Sequence, residues 1–289
     1  MPEGDTIFRA AAKLRENILG STIQSADTRA LDFDAEKLHS KQVTRIDARG
    51  KHLLIYADDE NGTDGWIVHS HMGMKGSWHC YSNGQPWRKP AERAELTLQF
   101  DHGHAVCFSP KLLELLTPAQ LKVHRWFARL GPDLLSPDFD AGEVLVRFRR
   151  RNSSPIGEAI MNQTIVAGIG NVYKSELLFL DGIHPLSRVA SFSDEQLLGI
   201  MRRARRLLAK NVGPGRRRTR FRGDRYNHWA YGRAGEPCLK CGGEIHLTRQ
   251  DDLGRTTYFC PTCQPLREER ERSHGAVGQV VDPSLDDGS

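Results

Sequence analysis

Four cysteines near the C-terminal end of the 289-residue chain carry the clearest chemical signature. They are Cys238-x-x-Cys241 and Cys260-x-x-Cys263, separated by eighteen residues. Two such knuckles can turn four thiolates toward one point, the tetrahedral sulfur set that a structural Zn²⁺ takes. Four sulfur ligands leave no coordination position open, so the ion would hold structure and perform no catalysis. At the other end, Met1-Pro2-Glu3 offers a different chemistry. Removal of Met1 would expose the secondary amine of Pro2 beside a carboxyl side chain. An α-amino group titrates near about 8, against about 10.4 for lysine, so a useful share is unprotonated at neutral pH. Such an amine attacks a carbonyl-like carbon and forms an iminium, which is nucleophilic catalysis without a distant base.

Three further segments bear on these ends. In Gly168-Ile169-Gly170-Asn171 the glycines would let backbone N–H groups approach a phosphate at a helix N-terminus, with Asn171 capping that helix, contacting phosphate, or both. Arg49-Gly50-Lys51-His52 sets Lys51 in a turn, where it could hold a substrate phosphate near Pro2. His71-Met72-Gly73-Met74-Lys75-Gly76 carries a protruding apolar side chain of the kind that wedges into a base stack. Taken singly, these also read as a tight turn, a solvated lysine and a packed methionine.

The elements that must position these residues follow from periodicity. Asp5 or Thr6 caps a helix with apolar face Ile7, Ala11, Leu14 and Ile18, stopped by Gly20. Short β-type runs follow at 43–46, 53–56, 66–68, 96–100 and 105–108, separated by turn clusters such as Asp58-Asp59-Glu60-Asn61-Gly62, as in a sandwich or barrel. From about Leu134 the pattern is helical. Ser154-Pro155 caps a helix over 156–163, Asn171 caps another through Leu180, ended by Gly182 and Pro185, and 195–210 is amphipathic and arginine-rich. Between the knuckles, 245–248 and 255–259 read as a hairpin with its turn at Asp251-Asp252-Leu253-Gly254, so Arg255 is presented near the tip. The expected division is a β-domain at 1–130 with a leading helix, a helical domain at 131–228, a zinc finger at 229–265, and a disordered, dispensable tail at 266–289.

Composition is that of a globular chain, with 38% hydrophobic and 27% charged residues. No run approaches the about 18 apolar residues of a membrane span, and the first twenty residues lack the pattern of a secretory signal. A cytoplasmic, nucleoid-associated protein is expected, and a reducing compartment makes the cysteine quartet a metal site and not two disulfides. Net charge is only +5, but eleven Arg and Lys residues between Met201 and Arg225 face Asp224 alone. Such clustering suits a polyanion.

The segments converge on a family. The Met-Pro-Glu-Gly start, the Gly50-Lys51 turn, the 71–76 loop, Gly168-Ile169-Gly170-Asn171-Val172-Tyr173, Tyr231-Gly232-Arg233-Ala234-Gly235-Glu236-Pro237-Cys238 and Gly254-Arg255-Thr256-Thr257-Tyr258-Phe259-Cys260-Pro261 occur in order. From residue 1 to about 264 the chain resembles the Fpg/Nei family of bifunctional DNA glycosylases. The resemblance implies an α+β multidomain fold: an N-terminal β-sandwich with a leading helix, a helix–two-turn–helix domain and a C-terminal zinc-ribbon finger. It also implies a monomer that binds damaged double-stranded DNA, with single-stranded or bubble DNA as a second class. Pro2 would attack C1′ and expel the base, leaving a Schiff base, and Glu3 would shuttle protons. Lys51, Asn171 and Arg255 would grip phosphates, Met74 would fill the void, and Glu176 occupies the position of a functional glutamate. Catalysis would need no metal; one Zn²⁺ would be structural.

Three departures bear on substrate. Thr6 stands where members usually carry a second glutamate. Ser109-Pro110-Lys111-Leu112-Leu113 lacks the Asp-Pro-Arg-x-Phe-Gly segment of the 8-oxoguanine branch, leaving Leu112 or Leu113 as a substitute wedge. The loop at 213–226 is short and arginine-rich. All three lean toward the Nei (endonuclease VIII) side, hence oxidised pyrimidines such as thymine glycol and dihydrouracil. The alternatives are the same chemistry on oxidised purines, or a zinc-ribbon protein that binds damaged DNA without cutting it.

Overall fold

The computed structural model describes residues 2–59, 62, 65–221, 223–250 and 254–266. Helix α1 (Gly4–Ile18) buries Ile7, Ala11, Leu14 and Ile18, one stripe at helical spacing. Its start differs from expectation. Glu3 occupies the cap position, and the Asp5 carboxylate is taken by Arg217 instead of capping. Beyond Leu19 the chain turns at Gly20, whose φ of 80° suits a residue without Cβ.

Two antiparallel four-stranded sheets enclose α1's apolar stripe. One runs β1 (Ser25–Thr28), β6 (Ala94–Phe100), β7 (Gly103–Phe108), β5 (Ser77–Ser82); the other runs β2 (Gln42–Arg49), β3 (His52–Asp58), β4 (Trp66–His71), β8 (Leu112–Leu116). Their facing residues, among them Leu53, Ile55, Val68, Leu98 and Ala105, form one core with the helix. All five expected strands are present. β1, β5 and β8 were missed because Ser25–Thr28 has no apolar alternation, β5 mixes serine and histidine with its apolar residues, and the β8 run reads equally as helix. Within that run Leu112 and Leu113 pair with His71 and Ser70, and Leu113 packs on the core, which leaves Leu112 as the candidate wedge of the two. Two short helices, α2 (Pro118–Lys122) and α3 (Arg125–Arg129), cross the outer face of the second sheet, where Leu121 and Phe127 cover Leu54, Tyr56, Ile67 and Leu116.

Helices α4 (Ala141–Arg149), α5 (Ile156–Ala159), α6 (Asn171–Leu180) and α7 (Asp194–Lys210) pack around Tyr173, Leu177, Phe148 and Met201. Helix α5 stops well short of residue 163, because Gln163 leaves the helical path to bond Gly168 N and the carbonyls of Met161 and Ile169. No side chain caps it. Helix α6 is capped by Gly170 and not by Asn171, which is its first residue. Helix α7 has a reciprocal Ser193–Gln196 capping box.

The finger's two strands, β9 (His246–Gln250) and β10 (Arg255–Phe259), pair antiparallel as expected. The hairpin residues 251–253 and the tail at 267–289 lie outside the described residues, as do Glu60 and Asn61 of the first turn cluster. Strand β10 is joined to α6 by Tyr258 N donating to Ser175 Oγ (3.2 Å) and Asn171 Nδ2 donating to Thr256 Oγ1 (3.1 Å). Among the described residues no helix is long and apolar enough to cross a membrane.

Candidate active site and zinc centre

The N-terminus of α6 is an anion site, and its occupant is Glu3. Gly170 N and Tyr173 N donate to Glu3 Oε2 at 2.9 and 3.3 Å, and Val172 N donates to Oε1 at 2.8 Å. The orphan amides of a helix start point along its positive end, which is why a carboxylate settles there. Gly4 N also donates to Gly168 O at 2.9 Å. Gly168 has φ 109°, a region that side-chain-bearing residues avoid, and a Cβ on Gly170 would overlap Glu3 Cδ. The glycine turn expected to cradle phosphate therefore cradles a buried carboxylate of the chain itself. Pro2, half-buried, is fixed next to it.

Arg217 closes the other side. Its guanidinium grips Asp5 in a fork, Nε to Oδ2 at 2.8 Å and Nη2 to Oδ1 at 2.5 Å, and Nη2 also donates to Thr6 Oγ1 at 2.7 Å. Nη1 stands 3.6 Å from Glu3 Oε1. Burial works against this charge, but Asp5 and Glu3 outweigh it and raise the pKa of Arg217. Thr6 is thus a polar ligand for an arginine. Sequence reading placed Arg217 only within a basic cluster. Its buried partner lies 212 residues away with no local signal.

The expected phosphate-gripping residues come together around this pair. Lys51, half-buried in the turn before β3, is pressed down to about 8, first by desolvation; Glu3 opposes that shift, while Arg255 and Arg217 add to it. Glu3, Arg255 and Arg217 all act electrostatically on Lys51. Asn171, on the first turn of α6, keeps its Oδ1 buried without a partner among the described residues while its amide bonds Thr256, the residue after Arg255. Met74 projects from the turn after β4 with 69% exposure.

Glu176 is placed otherwise. Its carboxylate is fully buried in α6 and accepts Trp229 N (2.7 Å), Ala230 N and Tyr231 N (both 2.8 Å), plus the Thr219 hydroxyl. Expected at the DNA interface, it instead clamps the chain that leads from the arginine-rich loop into the finger.

The four finger cysteines converge: the Cys238–Cys263 and Cys241–Cys260 sulfurs lie 3.8 and 3.5 Å apart. Sulfurs at about 2.3 Å from one tetrahedral zinc are about 3.8 Å apart, so the set fits the ion closely. Cys238, Cys241, Cys260 and Cys263 hold one structural Zn²⁺ that ties the base of the β9–β10 hairpin.

Known proteins match this chain along most of its length. Residues 1–111 match the formamidopyrimidine-DNA glycosylase N-terminal domain, 130–222 the formamidopyrimidine-DNA glycosylase H2TH domain, and 235–266 the zinc finger found in FPG and IleRS. A probable endonuclease 8 2 of Streptomyces coelicolor is 38% identical, with 91% of this chain and 94% of that protein covered. The DNA-(apurinic or apyrimidinic site) lyase Nei2 of Mycolicibacterium smegmatis is 35% identical over 91% and 99%. A formamidopyrimidine-DNA glycosylase of Gluconobacter oxydans is 31% identical over 91% and 99%. Among solved structures, Lactococcus lactis formamidopyrimidine-DNA glycosylase bound non-covalently to DNA containing an AP site superposes with a TM-score of 0.76 at 25% identity, covering 91% of this chain and 100% of that one. With its β-sandwich, helical domain and four-cysteine finger in this order, the chain belongs to the Fpg/Nei family of DNA glycosylases.

Proposed function

We propose that this chain is a base-excision-repair DNA glycosylase and abasic-site lyase whose nucleophile is the Pro2 amine. The observation that carries the reading is the mooring of Glu3, the chain neighbour of Pro2, on α6, with Lys51 close enough to feel the charges of Glu3, Arg255 and Arg217. The amine attacks C1′ of the damaged nucleotide, and the base leaves with the bonding electron pair and takes up a proton. Sugar-ring opening yields an iminium on Pro2. Because that nitrogen is secondary, the iminium keeps its charge and draws electrons from the C2′–H bond. Loss of the C2′ proton expels the 3′ phosphate, and a second elimination at the 5′ side releases the sugar remnant.

Glu3 is the proton shuttle for these steps. Lys51, Arg255 and Asn171 hold backbone phosphates around the lesion, and Met74 fills the space left by the extruded base. Gly168 and Gly170 contribute by seating Glu3. Damaged DNA is the partner in this reading, with the cysteine-bound zinc keeping Arg255 on a rigid hairpin. Oxidised pyrimidines are the favoured substrates, supported by Thr6 in place of a second acid, by the short arginine-rich loop and by relatives named endonuclease 8. Oxidised purines are the second reading, favoured by the 31% identity to a formamidopyrimidine-DNA glycosylase.

Borohydride trapping on abasic-site DNA, followed by duplexes containing thymine glycol or 8-oxoguanine, tests both layers. A covalent adduct is expected with a free Pro2 and none with a retained Met1, which should leave DNA binding intact. No adduct from protein with a verified Pro2 terminus would refute the lyase mechanism. Faster excision of 8-oxoguanine than of thymine glycol would overturn the pyrimidine assignment.

A further inference from the structure

A buried polar chain lies outside the reactive centre, on the outer face of the second sheet. His52 Nδ1 and His69 Nε2 are 2.8 Å apart, His69 Nδ1 and Glu114 Oε1 2.6 Å, and His124 Nε2 and the same Glu114 oxygen 2.9 Å. These groups have the types of a metal site, but their spacing argues otherwise. Nitrogen and oxygen ligands at about 2.0–2.1 Å from one tetrahedral ion stand about 3.3 Å apart, whereas these atoms are at hydrogen-bond distance. With the carboxylate as acceptor, His69 and His124 both donate to Glu114, and His69 Nε2 accepts from His52. Burial, reinforced by the neighbouring imidazoles, presses His52 and His69 down to about 3, which suits neutral rings in a fixed chain.

The chain fastens α3 to the sheet. His124 precedes that helix, and Phe127 within it packs on the rings of His52, His69 and His124 at 5.2, 5.0 and 5.3 Å. What the clamp leaves outward is Trp126, half exposed, with the Arg125 guanidinium 5.3 Å from its ring. The Trp126 ring lies 6.5 Å from that of His52, the residue that follows Lys51. Lys122 and Arg129 are exposed nearby, and no Asp or Glu occurs between Glu114 and Asp133. An exposed indole on a rigid basic helix, continuous with a phosphate-gripping lysine, has the composition of a single-strand stacking platform.

We propose that Trp126, flanked by Arg125, stacks on an unpaired nucleobase of single-stranded or bubble DNA beside the lesion. The assignment rests on Lys51 gripping the damaged strand, and extends that grip along α3 to bases that have lost their partners.

Fluorescence anisotropy with the full chain tests it, using a tetrahydrofuran abasic analogue placed in a paired duplex and in a bubble. Trp126→Ala is expected to weaken bubble binding roughly 5- to 150-fold, the range for losing one base–aromatic stack. It should leave the paired duplex unchanged, which also reports that the variant is folded. Trp126→Phe should retain bubble binding, and Arg125→Ala should lower the salt slope on the bubble by about 1. Unchanged bubble affinity in Trp126→Ala, or equal losses on both DNAs, would overturn the platform. Wild-type protein that binds neither DNA would instead sink the repair reading beneath it.

Discussion

Replacing Glu176 with alanine should damage the fold at one place and leave the chemistry of the reactive centre otherwise untouched. The carboxylate accepts three backbone N–H groups, from Trp229, Ala230 and Tyr231, in a site closed to solvent. A buried donor left without its partner costs about 1–3 kcal/mol, so three amides set a ceiling of about 9 kcal/mol. The Thr219 hydroxyl adds little, because Asn227 O is already 3.3 Å away to receive it. Allowing for relaxation, as when other buried charged partners are removed, the expected loss is about 3–5 kcal/mol. That is a large part of the about 5–15 kcal/mol that holds an ordinary domain together. Glu176→Gln keeps the volume but turns an NH₂ toward the amide donors, so it should rescue only partly. Urea denaturation supplies the energy, and hydrogen exchange at residues 229–231 supplies the location. A loss below about 1 kcal/mol with exchange at 229–231 unaltered would refute the clamp, since unpaired buried amides cannot be that cheap.

Other expectations follow from the same geometry. Lys51 is charged below about 8 and neutral above it in the free protein, so affinity for abasic-analogue DNA should fall as pH rises through that value. Lys51→Arg should flatten this dependence in a binding titration, because arginine stays protonated. Arg217→Ala leaves Asp5 buried and unpaired, so denaturation should show a loss of about 3–5 kcal/mol. Adding Asp5→Asn should recover part of it, giving a double-mutant cycle that is clearly less than additive. Arg255→Ala should slow turnover while metal analysis still finds one zinc per chain; loss of zinc in that variant would mean Arg255 is structural. Stripping zinc with a chelator should abolish DNA binding in a gel-shift assay, because the β9–β10 hairpin loses the tie at its base.

What was legible in the sequence depended on whether its cause was local. The cysteine spacing, the α1 stripe and the strands with β-branched or aromatic alternation are written within a few residues, and each appears where expected. Residue type alone offers Asn171 and Asp5 as helix caps, and distant partners, Thr256 and Arg217, claim both. The glycine turn at 168–170 was recognised as an anion cradle, but nothing local says that its anion is the third residue of the chain. Glu176 shows the same limit: its family position was visible, while its three amide partners lie more than fifty residues ahead. The His52–His69–Glu114–His124 chain was invisible for a simpler reason. Cross-strand register joins His69 to Glu114, and no one-dimensional spacing encodes it.

The mooring of Glu3 on α6 makes the two halves of the molecule answerable to each other. The carboxylate belongs to the β-sandwich chain, yet all three of its donors belong to the helical half. On the proposed chemistry, a hinge that parted the halves would carry Glu3 away from its seat, and the amine beside it would lose its orientation. The enzyme is therefore armed only when assembled. An N-terminal half released by proteolysis would carry the nucleophile without a trigger, sparing the cell a loose reactive amine among its sugars and aldehydes.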